Sequence, residues 1–220
     1  MSKEPSVNNV NLIIDALVAL ATIAVAVIAI WGEKIRSWLA PARIEIKPHT
    51  FTGDPTILSV PGVVIPGGGT RAMYYHLKVV NIRPWLTVQN CRVLLKGISR
   101  RGPDGRFHPV RMAVPLQFVW APSDSTPQQT TITKEHVLDF GRIVEGEPKF
   151  TPLLYSYTNN FQGCVEKGAA VRYSIEVDAS NFVSPEPYVV EVAWDGHWEF
   201  EVEKMAQHLR ITEINEAEKT

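Results

Sequence analysis

The residues able to do acid–base or metal chemistry are scattered along this 220-residue chain. Its six histidines are His49, His76, His108, His136, His197 and His208. No two are three or four positions apart, the spacing that sets two imidazoles on one helix face, and no Cys or acid joins them in a zinc-ligand pattern. The sequence therefore predicts no metal site. Asp195-Gly196-His197 sets an acid beside an imidazole, but Asp-Gly reads first as a tight turn and no nucleophile accompanies it. Gly67-Gly68-Gly69-Thr70 lacks the Lys-Ser/Thr and the helix of a phosphate-cradling loop, and no Gly-x-Ser-x-Gly elbow occurs. No catalytic residue and no cofactor is predicted, and the protein is expected not to be an enzyme.

One charge cluster stands out. Arg92, Lys96, Arg100, Arg101, Arg106 and Arg111 fall within twenty residues against a single acid, Asp104. The run Arg101-Gly102-Pro103-Asp104-Gly105-Arg106 reads as the turn of a hairpin. Guanidinium forks suit phosphate and carboxylate, so the hairpin is a candidate contact for an acidic protein, an anionic lipid or a nucleotide. The bland alternative is a solvated edge whose charges block strand pairing. The whole chain has a formal net charge of −1, which excludes a globally basic nucleic-acid binder. The two cysteines, Cys91 and Cys164, are no disulfide framework. Cys91 alternates in phase with Val93 and Leu95 as a core residue would, and Cys164 sits in a turn-rich stretch.

The element that must position all of this is Leu12–Trp31. Its twenty residues carry one charge, Asp15. At ~1.5 Å per residue they reach ~30 Å, the hydrocarbon thickness of a bilayer. A cleavable signal peptide has a shorter apolar run and a basic start, and a soluble core helix shows a polar face. The chain therefore reads as a single-pass protein of a cell membrane. The flanking positive charges are Lys3 before the span and Lys34, Arg36, Arg43 and Lys47 after it, which predicts a cytoplasmic head. Trp31 and Trp38 are the expected interfacial anchors. Asp15, Ala19, Thr22, Ala26 and Ala29 are spaced 4, 3, 4, 3, one helix face of small and polar residues. Such a face suits helix–helix contact, and self-association into a homo-oligomer is expected through it.

The predicted organisation is a tail (1–10), a membrane helix with an amphipathic extension (11–40), a head (41–210) and a polar tail (211–220). The head alternates in period two at Met73-Tyr75-Leu77-Val79 and at Val171-Tyr173-Ile175-Val177. Some eight short strands separated by Pro, Gly and Asn predict a mainly β fold, an antiparallel immunoglobulin-like β-sandwich with a short helix over 201–210. A closed barrel is the alternative. Asp195-Gly196 is expected to join strands 188–194 and 197–202, and 211–220 to fray. The functional expectation is a membrane-anchored interaction or sensor module. The alternatives are an oligomeric, pore-type effector of a bacterial defence or toxin system, and an envelope structural protein with its head outside.

Overall fold

The computed structural model of the chain describes residues 7–39, 41–58, 69–122 and 126–214, and of the first helix the side chains of 11–32 and 34. Gly67 and Gly68, the side chain of Trp38 and the end of the predicted polar tail lie outside the described residues. The chain divides into two units, Met1–Pro41 and Ala42–Thr220.

The first unit is one helix, α1 (Val7–Leu39). Ala and Leu favour it, and no Pro or Gly interrupts it before Gly32. Its segment Asn11–Gly32 has mean hydropathy 2.7 and none of it is buried. Leu12, Leu17, Leu20, Val25 and Ile30 are each more than half exposed. The Thr22 hydroxyl donates to the Val18 carbonyl at 2.8 Å, so this polar group is satisfied within its own helix.

The second unit is built from strands. In chain order they are β1 (Ile44–Leu58), β2 (Thr70–Asn81), β3 (Val88–Arg101), β4 (Phe107–Val110), β5 (Leu116–Gln117), β6 (Val119–Trp120) and β7 (Thr130–Ile132). There follow β8 (Glu135–Val144), β9 (Lys149–Pro152), β10 (Val165–Glu166), β11 (Ala170–Ala179), β12 (Phe182–Val183) and β13 (Tyr188–Trp194). The helix α2 (Val202–His208) and β14 (Leu209–Glu213) complete it. One antiparallel sheet runs β1-β2-β8-β9-β10, with β6 also on β8. The other runs β14-β13-β11-β3-β4, with β12 on β11 and with β5 and β7 on β3. Between β5 and β6 the chain passes from one sheet to the other at Phe118, which is fully buried.

The sheets share one core. Met73, Tyr75, Leu77 and Val79 of β2 and Val171, Tyr173 and Ile175 of β11 are all fully buried, as their alternation predicts. Phe140 of β8 is central to it. Its ring lies 5.9 Å from Phe118, 5.8 Å from Phe150 and 5.6 Å, edge to face, from Tyr173 of the opposite sheet. Beside it β8 carries Gly141, where a Cβ would run into the Phe150 ring.

Two expectations are corrected, those for 197–202 and for 211–220. β1 is the longest strand described, Ile44 to Leu58, and lies at the end of its sheet. An edge strand has a free side on which the missing N–H of Pro48 or Pro55 costs no ladder bond, and register shifts absorb the remainder between Pro48 and Asp54. Residues 197–202 form no strand; the chain turns there and enters α2. Leu209–Glu213 does not fray but pairs with β13, Leu209 opposite Trp194 and Ile211 opposite Val192, and Ile214 beyond it is buried.

Candidate functional site

The basic hairpin forms where the sequence places it, with Arg101 opposite Phe107 across β3 and β4. Its turn is held by Asp104, whose carboxylate accepts the Arg106 N–H at 3.0 Å and lies 3.0 Å from His108 Nε2. Those hydrogen bonds, the one with the His108 ring first, lower the Asp104 pKa.

Four of the six cations are answered by acids on other strands, two of them on the adjacent β11. Arg92 pairs with Asp178, which stands directly opposite in register. Lys96 Nζ lies 3.5 Å from Glu176, and Arg100 lies 3.9 Å from Glu166 while donating to the Gln162 carbonyl at 2.9 Å. Arg101 reaches Glu191 at 2.8 Å, and Glu191 also takes Arg172 at 3.0 Å. Both guanidiniums lie over the Phe107 ring, 5.0 and 4.0 Å from its centroid. The row is thus an ion-pair network and not a field of free positive charge. Arg106 and Arg111 make no ion pair with another described residue.

On the apolar segment of α1, Asp15, Ala19, Thr22, Ala26 and Ala29 are all exposed, and Trp31 is exposed at its end. Cys91 is buried, Cys164 is half-buried, and both are free thiols.

A constellation that sequence spacing does not reveal lies at the end of β13. Gly196 has φ +99°, a conformation that L side chains rarely adopt, and this closes the turn that the Asp195-Gly196 pair signals. Within the turn the Asp195 carboxylate accepts the His197 N–H at 2.9 Å and faces His197 Nδ1 at 3.3 Å. The excursion from 195 to 208 then returns through α2, and the Asp195 N–H donates to the His208 carbonyl at 3.1 Å. That pairing brings His208 Nδ1 to 2.8 Å from the other Asp195 oxygen. The two imidazole centroids are 5.1 Å apart.

The excursion is pinned to the core. Met205 is fully buried and receives the Glu199 N–H on its sulfur at 3.4 Å, and Trp194 Nε1 donates to the His197 carbonyl at 2.9 Å. Partial burial pulls the Asp195 carboxyl upward, but the hydrogen bonds from the His208 ring, the His197 N–H and the His197 ring outweigh it and hold the pKa at about 2. Asp195 and His208 line a cleft of about 280 Å³ with Arg101, Trp194, Gln207 and Arg210. One acid and two neutral imidazoles are a donor set that suits a divalent cation.

A further imidazole–carboxylate contact lies on the other sheet. His76 Nδ1 is 3.0 Å from Asp139, which is buried, and its Nε2 is 3.8 Å from Asp54. His76 and Asp139 are register partners on β2 and β8, and Asp54 lies on β1, on the other side of β2, so strand pairing accounts for their meeting. No family model matches the chain, and no curated protein matches it.

Proposed function

We propose that the protein is a single-pass membrane protein whose β head is an immunoglobulin-like interaction module, brought together with other copies by its helix. The observation that carries this reading is Asn11–Gly32: twenty-two residues, mean hydropathy 2.7, none buried. Such a length reaches ~33 Å. A core helix of a soluble protein would bury its apolar face, and this one leaves every face to its surroundings. Two antiparallel sheets that share one core, as in sandwiches of immunoglobulin size, support the reading of the head. The charge bias across the span supports a cytoplasmic head, with Arg106 and Arg111 as contacts for an anionic partner.

The test is sidedness. Glu147 lies in an exposed turn of the head, and Glu147→Cys in a Cys164→Ser background gives one accessible thiol. An impermeant thiol reagent should label it only after cells are opened. Labelling in intact cells would overturn the cytoplasmic head and favour the envelope reading. Recovery in the soluble fraction would overturn the anchor itself. Asp15→Leu then separates module from pore: a module loses helix association at most, whereas a pore-type effector loses ion leakage.

A further inference from the structure

We infer that Asp195, His197 and His208 form a binding site for one divalent transition-metal ion of the zinc class. This inference is independent of the membrane reading. Three observations carry it.

Each residue presents one ligand atom, and these atoms all lie within 4.8 Å of one another. In a tetrahedral site with bonds of ~2.0–2.1 Å, neighbouring ligand atoms stand ~3.3 Å apart. His197 Nδ1 stands 3.3 Å from one Asp195 oxygen and His208 Nδ1 2.8 Å from the other. With no ligand pair more than 4.8 Å apart, the widest gap has to close by at most about 1.5 Å to reach tetrahedral spacing, which rotation of the side chains can supply.

The ligands also sit on a fixed frame. Asp195 and His208 are backbone partners at the mouth of the 195–208 excursion, and the Trp194 indole holds the His197 carbonyl. The ordering cost of bringing the three together is thus met by the fold and not by the ion, which raises affinity for a given set of contacts.

Finally, the chemistry selects the ion class. Two imidazoles and one carboxylate are a borderline-soft set: they suit zinc and its neighbours, whereas magnesium and calcium take oxygen ligands. Two of the three ligands face the 280 Å³ cleft, which leaves room for water or an exogenous ligand to complete the coordination. Without an ion, the same geometry serves as a turn in which two imidazoles hydrogen-bond one carboxylate.

Zinc ion itself is the probe, titrated into the full chain in detergent after chelation, with cobalt as a spectroscopic substitute. The expected result is saturation at one ion per chain. His197→Ala, His208→Ala and Asp195→Asn should each weaken binding at least about tenfold. His108→Ala, on the other hairpin, should not. His197 is mostly exposed in a turn, so its replacement leaves the fold in place and keeps the test decisive even if the His208 variant folds poorly. Absence of saturable binding, or binding unchanged by His197→Ala, overturns the inference.

Discussion

Glu191→Ala should destabilise the head by about 2–3 kcal/mol, because one carboxylate serves two guanidiniums. The magnitude follows from how wet each pair is. Arg101 is about half exposed (47%), so its 2.8 Å contact with Glu191 is of the surface kind, worth about 0.5 kcal/mol. Arg172 and Glu191 are largely covered, at 22% and 14% exposure. Removing one partner of a fully buried pair costs about 3–5 kcal/mol, and the residual access of water to Arg172 reduces this to about 2. Arg172 cannot swing out cheaply, because its guanidinium lies 4.0 Å from the Phe107 centroid. Urea unfolding followed by tryptophan fluorescence reads the loss as a lower midpoint at unchanged slope. Urea also leaves ionic strength free to vary: at 1 M salt, where the screening length is about 3 Å, the Arg101 share should vanish and the Arg172 share should persist. A loss under about 0.5 kcal/mol, or one wholly abolished by salt, refutes the argument. Arg101 would then be a free charge despite its contact with Glu191.

How much of this was legible in the sequence depends on how local each feature is. The span is a local property of twenty residues, and it emerges as a helix where composition places it. The inward sets on β2 and β11 were legible for the same reason, since a side-chain period of two needs no knowledge of the partner strand. The hairpin shows the limit. Its six cations are visible as a cluster, but Asp178 lies 86 residues from Arg92 and Glu191 lies 90 from Arg101, so the pairing of four of them with acids is a fact of strand order and register. β14 was hidden by its polar residues: it hangs on the outer side of β13, where only Leu209 is fully buried. The Asp195–His197–His208 cluster was half visible. Asp195-Gly196 signalled a turn, as found, but the turn leads into a helical excursion instead of a strand. His208 therefore returns from 13 residues away at a spacing no ligand pattern contains.

Two further expectations turn on protonation. Burial, and secondarily the Asp178 carboxylate, push the Cys91 thiol up to about 12 from an ordinary 9.0. Between those values the unfolded chain releases the proton and the folded chain keeps it, so stability should fall as pH rises above about 9, and Cys91→Ala should flatten the onset of that decline. In the native protein at pH 8 a thiol reagent should modify Cys164 and spare Cys91. Asp195 works in the opposite sense. Its carboxyl is held at about 2, below the ordinary 3.8, against the pull of burial, by the His208 ring, which reaches it only when 195 and 208 are brought together, and by the His197 N–H and ring within the turn. The native state thus binds fewer protons than the unfolded state in that interval, and the contribution of the carboxylate is complete above about pH 4 and lost as pH falls toward 2. In chelator-treated protein, the acid limb of the stability curve should be shallower between pH 4 and 2 for Asp195→Asn than for the parent. Equal limbs would mean that the two imidazoles do not hold this carboxylate in solution.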